Sequence, residues 1–200
     1  MTHTHFQGGR GLVLASASPR RRQLLAVLGR PFEVAAADVD ERPWPGESPD
    51  AYGLRLALDK ARAVAGTLAG ASVTVLGADT LVVADGRILG KPANAADAHR
   101  MLALLRGRRH EVLTAVAAVD AADGRALADL ATTGVWLRAF SAAEAADYVA
   151  GGDPLDKAGA YAIQHAGFRP VERLEGSETN VIGLPLALAR RLIGRLEQGA

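Results

Sequence analysis

The chain has 200 residues, 49% hydrophobic and 22% charged, with 23 basic against 22 acidic side chains and a net charge of +1. This composition excludes a disordered or fibrous protein, and the charge balance excludes a general attraction to DNA, RNA or an anionic membrane, so any anion binding must come from a local cluster. The lack of cysteine removes disulfides, thiolate nucleophiles and Cys-based zinc sites, and fits a reducing cytoplasm.

Residues 1–10 hold no apolar core of signal-peptide length and read as a loose tail before a single domain spanning 11–200. No run of about 18 apolar residues follows, so no membrane span is expected. Leu12–Ala15 reads as a short buried strand. Ser18-Pro19 then places a hydroxyl N-cap before proline at the first helical position. Leu24, Leu25 and Leu28 follow at helical spacing, and Gly29 suits the stop. Phe32–Ala37 reads as a second strand and Asp38–Glu47 as an acidic, proline-rich loop. Ser48-Pro49 repeats the start signal for a helix to about Leu68.

Val73–Leu76 is a third apolar strand, ending in Gly77-Ala78-Asp79-Thr80. Leu81–Ala84 and Ile88–Leu89 flank a hairpin turn at Asp85-Gly86. Asn94 caps a helix through about Leu105. Glu111–Val119 and Ala126–Phe140 form long strands around Asp123-Gly124. Ser141 and Glu144 make a capping box for a helix to Ala150. Gly151–Pro154 breaks the chain, and Leu184–Leu196 is the closing helix. Strands alternate with helices at first and hairpins enter later. This predicts an α/β fold with a mixed sheet, flanking helices and two lobes around a groove.

Five segments carry polar chemistry. Ser16, Ser18, Arg20, Arg21 and Arg22 cluster at a strand-to-helix junction. Free N–H groups and the dipole at a helix start attract anions, and guanidinium groups bind phosphate oxygens in pairs. The bland alternative is a capped helix with a solvated basic first turn. However, basic residues oppose the positive helix end, which an anion would offset. Asp38, Asp40 and Glu41 are either ligands for a hard divalent cation or solvated loop acids. Asp79, at the end of a buried strand, is a metal ligand, a proton acceptor or a turn-forming acid.

Lys91, between Gly90 and Pro92, sits on a tight bend as a site lysine or a surface one. It does not belong to a Walker loop, because Asp85 and Pro92 stand where glycine and Ser/Thr are needed. Asp156–Gln164 packs small residues around Tyr161. Gln164 offers both a donor and an acceptor, as reading a base edge requires, unless the segment is an ordinary buried glycine bend. The five histidines lack paired metal-ligand spacing beyond the tail, and no HExxH or GxSxG occurs.

Taken in order, Leu14–Arg21, Leu58–Ala61, Leu76–Thr80, Gly90–Pro92, Leu155–Tyr161 and Gly183–Leu186 resemble the Maf family of nucleoside triphosphate pyrophosphatases, from Leu12 to about Leu188. The resemblance implies an elongated mixed sheet like that of inosine triphosphate pyrophosphatases. It also implies a divalent metal, Mg or Mn, and often a homodimer. The activity would be hydrolysis of a nucleoside triphosphate to the monophosphate and pyrophosphate in the cytoplasm.

Asp79 matches the family's proton-acceptor position. Ser16, Arg21, Asp40, Lys60 and Lys91 match polar positions lining the cleft. Glu often stands where Asp40 does, and Asp40, Glu41 and Asp79 are the expected metal ligands. Arg20, Thr80 and Gln164 fall on the specificity positions and resemble the branch acting on dTTP and UTP, with Thr80 and Gln164 set to read or steer the pyrimidine. A different class of function is a nucleotide-binding regulator of cell division and septum formation in which hydrolysis is secondary. A kinase-like transferase would need an acceptor site that the sequence does not display.

Overall fold

A computed structural model describes residues 10–199. The expected tail, residues 1–10, lies outside the described residues except for Arg10. The Arg10 guanidinium donates to Thr74 Oγ1 at 2.9 Å and pairs with the buried carboxylate of Asp120.

Seven strands form one mixed sheet: β1 (Gly11–Leu14), β2 (Glu33–Val34), β3 (Val73–Ala84), β4 (Arg87–Leu89), β5 (Arg109–Asp120), β6 (Ala126–Leu137) and β7 (Val171–Glu175). Their order is β2-β1-β3-β5-β6-β7, with β4 paired to β3. β1 runs parallel to β2 and β3, and the remaining pairs are antiparallel. The helices are α1 (Pro19–Ala26), α2 (Pro49–Thr67), α3 (Ala95–Leu105), α4 (Ala142–Ala150), α5 (Glu178–Ile182) and α6 (Leu186–Gln198), with short 3-10 turns at 153–156 and 158–160.

The caps act as expected. Ser18, Ser48 and Asn94 each accept a backbone N–H three residues on, and Ser141 and Glu144 form the reciprocal box. Asp85 and Gly86 both take positive φ at the hairpin turn. The sheet then divides the core by face. α2 covers one side, packing Ala57, Ala61 and Val64 on Val13, Val75 and Ala117. On the other side α1 and α6 bury Leu25, Leu188 and Leu192 against Leu12, Leu14 and Leu76. Further along that second face, α3 and α4 bury Leu102, Leu105 and Tyr148 against Val82, Val112 and Val135.

Three expectations change. The segment after Leu76 does not turn: β3 is one strand of 12 residues, so Asp79 lies in its middle and not at its end. The Gly-Ala-Asp-Thr stretch stays extended because β5 pairs with β3 continuously from Thr74 to Val83. The second strand shrinks to two exposed residues on the sheet edge, Glu33 and Val34. β7 and α5 add two elements beyond those expected.

The outer edge of β3 is interrupted. β1 pairs with it only as far as Leu76, and β4 joins at Val82. Among the described residues, no strand pairs with 77–81 on that side, which opens a cleft between the two lobes.

Candidate active site

Neighbouring side chains alternate across a strand, so Asp79 points to the α2 face of the sheet and Thr80 to the opposite one. Each meets a different group of polar residues at the break.

On the α2 face, Lys60 Nζ donates to Asp79 Oδ1 at 2.7 Å and pairs with Glu41 Oε1 at 2.7 Å. Lys60 and Asp79 are both buried, 9% exposed. Gly77 makes this meeting possible: a Cβ there would stand 2.3 Å from the carbonyl oxygen of Ala57 and 2.8 Å from the nitrogen of Ala61. The helix backbone therefore lies directly on the strand, one residue from Lys60.

Glu41 is delivered by its loop. Tyr52 Oη donates to the Glu41 carbonyl at 2.7 Å. Arg55 grips Glu47 in a fork at 2.7 and 2.8 Å, donates to the Arg42 carbonyl at 3.1 Å, and lies over the Trp44 ring. The hydrogen bond from Lys60 holds the Glu41 carboxyl below its usual range, against the opposing effect of partial burial. The charges of Lys60, Lys91 and Arg21 add to this.

Asp40, expected among the metal ligands, pairs with Arg42 in this structure. Its carboxylate accepts from Arg42 Nε at 2.9 and 3.0 Å and from Nη2 at 2.6 Å, at an exposed position. These bonds bring its pKa down to about 2. Adjacent loop residues face different ways, so Glu41 reaches Lys60 while Asp40 turns to Arg42. Among the described residues no three His, Asp or Glu side chains converge as a ready metal site.

On the other face, Ser18 caps α1 and Arg21 crosses from that first turn. Arg21 donates through Nε to the Gly183 carbonyl at 2.9 Å, through Nη1 to Ser16 Oγ at 3.4 Å and through Nη2 to Thr80 Oγ1 at 3.0 Å. Burial lowers its pKa, and Arg20 pushes the same way. Asp79 and Glu41 act in the opposite direction, which places Arg21 within electrostatic reach of both acids across the break. Two N–H groups of its fork remain for an incoming anion. Arg20 lies 3.5 Å from Asp156 of the opposite lobe. Lys91 is exposed just beyond β4.

Gln164 is exposed and lines a shallow groove of about 640 Å³ with Ile163, His165, Arg169 and Glu178. Glu178 on the same groove opens α5, and Gly183, which accepts from Arg21, follows that helix. The structure thus joins Ser16, Arg21 and Thr80 on one face and Glu41, Lys60 and Asp79 on the other. Arg20 and Lys91 flank the gap, and Asp40 is left outside. Sequence reasoning missed Tyr52, Thr114 and Asn180, and named Gly77 and Gly183 only as parts of the family-like segments, without a role. A local signal for Asn180 was available in Ser177, three residues before it, whose hydroxyl accepts the Asn180 N–H at 3.3 Å.

Residues 11–196 match the family model described as Maf-like protein. The chain is 53% identical over 186 residues to a dTTP/UTP pyrophosphatase of Anaeromyxobacter dehalogenans, covering 92% of this chain and 93% of the relative. It is 51% identical over 175 residues to a protein of that name from Geobacter metallireducens, covering 88% and 90%. A third of that name, from Moorella thermoacetica, is 52% identical over 182 residues, covering 91% and 93%.

Proposed function

The chain belongs to the Maf-like family, and from that premise we propose that it hydrolyses dTTP and UTP to the monophosphate and pyrophosphate. The observation that carries this reading is the break in β3, where the Asp79 carboxylate on one face and the half-buried Arg21 fork on the other lie within electrostatic reach of each other.

A nucleoside triphosphate carries about four negative charges near neutral pH, and this charge repels an attacking water; phosphoryl transfer is accelerated mainly by positioning and by offsetting it. Arg21 offers two N–H donors, and Arg20 and Lys91 stand beside the gap to bind the outer phosphates. Arg20 would exchange Asp156 for phosphate as the nucleotide enters. The water oxygen attacks the α-phosphorus, the α–β anhydride bond breaks and pyrophosphate departs with the bonding pair. The water's proton passes to Asp79, whose Oδ1 is already fixed by Lys60, and then to solvent.

A divalent cation fits this donor set. Glu41 and Asp79 both reach the Lys60 ammonium at 2.7 Å, so their oxygens can be no further apart than twice that distance. Mg²⁺ commonly takes one or two carboxylates and completes its shell with phosphates and waters. Glu41 and Asp79 would hold it. When bound it would neutralise phosphate charge and acidify water. Free nucleotides as substrate agree with a cytoplasmic place of action, and among the described residues no helix is long and apolar enough to cross a membrane.

The test is to incubate pure protein with Mg²⁺ and a panel of dTTP, UTP, the purine triphosphates and 7-methyl-GTP, and to follow pyrophosphate release. Stoichiometric monophosphate and pyrophosphate, fastest from dTTP and UTP, is the expected result. Release of single phosphates, or nucleotide binding without turnover, would overturn the reading.

A further inference from the structure

We propose that Thr80 serves as the first link of a directed relay, Thr80–Thr114–Asn180, which fixes the Arg21 fork, and that it does not read the base. Thr114 and Asn180 thereby become positioning residues for triphosphate binding. The inference rests on the nucleotide hydrolase reading and gives one of its specificity positions a different task.

The number of hydrogens sets the direction of the relay. A hydroxyl has one to give. Thr114 Oγ1 lies 2.9 Å from the Asn180 carbonyl, which can only accept, so Thr114 commits its hydrogen there. In the 3.0 Å contact between the two hydroxyls, Thr80 is therefore the donor. A guanidinium can only donate, so Thr80 accepts from Arg21 Nη2 at 3.0 Å. The Gly183 carbonyl is also within 3.5 Å of Thr80 Oγ1, but it already accepts Arg21 Nε at 2.9 Å. Whichever oxygen takes it, the Thr80 hydrogen is used inside the protein and is not available to a base carbonyl or a phosphate.

The far end of the relay is anchored. The Asn180 side-chain amide donates to the Val112 carbonyl and to Thr133 Oγ1, both at 2.9 Å, and Thr133 donates to the Ser177 carbonyl at 3.2 Å. Thr114 and Asn180 are completely buried, at 0% exposure, so neither touches a nucleotide. Thr80 also faces away from the Asp79 side of β3. The chain runs from β5, β6 and α5 to a single exit, the Arg21 fork. Its chemistry favours the shared part of every substrate, the polyphosphate, over the part that differs.

The experiment compares Thr114→Val, Thr114→Ser, Thr80→Val and Thr80→Ser with the parent. One readout is kcat/KM for dTTP, UTP and dGTP. The other is affinity for a non-hydrolysable α,β-imido dUTP. Misaligning a charged hydrogen-bond donor should lower both by about tenfold in Thr114→Val, equally for all three substrates, so the dTTP-to-dGTP ratio stays put. Serine at either position should restore near-parental values, and Thr80→Val combined with Thr114→Val should be no worse than the weaker single variant. In an Arg21→Lys background, Thr114→Val should add little.

The proposal is overturned if Thr80→Val shifts the dTTP-to-dGTP ratio while Thr114→Val is silent. Should Thr114→Val melt too early to assay, Thr114→Ala and the Arg21→Lys background decide the question in the same way. A parent that releases no pyrophosphate would refute the activity and still leave the analogue-binding arm to judge the relay.

Discussion

Lys60 and Asp79 meet at 2.7 Å across a helix and a strand that touch backbone to backbone. The pair is buried, yet each partner faces the break in β3, so the charge of the ammonium is shared among Asp79, Glu41 and whatever enters. Removing the Asp79 charge should leave the fold standing because Lys60 keeps Glu41. We expect Asp79→Asn to lose about two to four orders of magnitude in turnover, the usual contribution of a general base, with an unchanged circular dichroism spectrum. Pyrophosphate release near the parental rate would remove Asp79 from the reaction.

Gly77 is required by contact and not by dihedral angle. A methyl group at this position must push α2 off the strand, because the obstacle is the backbone at Ala57 and Ala61. Overpacking of this kind costs about 1–3 kcal/mol, and it moves Lys60 as well. Gly77→Ala should therefore lower stability in urea and lower kcat together. A stable variant with full activity would show that the close approach is dispensable.

The two loop acids separate by partner. Glu41→Gln leaves Lys60 with Asp79 alone and removes one of two carboxylates suited to a cation. The Mg²⁺ concentration needed for half-maximal rate should rise about tenfold or more, the range seen when the surroundings of a metal are disturbed. Asp40→Asn alters an exposed pair with Arg42 and should leave that concentration where it is. The reverse ranking in a metal titration would make Asp40 the ligand and not Glu41.

Gln164 is the remaining candidate for base recognition once Thr80 is committed to Arg21. Gln164→Ala should narrow the preference for dTTP over purine triphosphates while leaving affinity for inorganic triphosphate unchanged. Competition assays with both ligands check it, and an intact preference would assign base reading elsewhere.

Legibility followed the range of the forces involved. Ser18, Ser48, Asn94 and Ser141 mark helix starts because a cap acts within one turn. The turn at Asp85-Gly86 is equally local. Continuity of β3 through Gly77–Thr80 depends on β5, a separate strand further along the chain, and no local window contains that partner. That Glu41 reaches Lys60 while Asp40 turns away follows from Arg42 and Tyr52, the latter on α2. β7 and α5 are too short, and β7 too exposed, to show a clear period. Thr114 looks like an ordinary strand threonine until Asn180 arrives from the far end of the chain.

His110 supplies a pH test away from the chemistry. It is 2% exposed, its Nε2 is 2.7 Å from the Tyr161 hydroxyl, and its Nδ1 has no hydrogen-bond partner. Burial, assisted by the nearby Arg109 charge, lowers its pKa from 6.5 to about 4. The unfolded chain therefore binds a proton that the folded protein refuses. Stability from this group is complete above about pH 6.5 and is lost as pH falls toward 4. The full difference is about 3 kcal/mol. Urea unfolding between about pH 5 and 6.5, above the range where the surface carboxylates titrate, should show the parent losing stability more steeply than His110→Gln. Parallel slopes would mean that His110 accepts its proton in the folded state as readily as in the unfolded one.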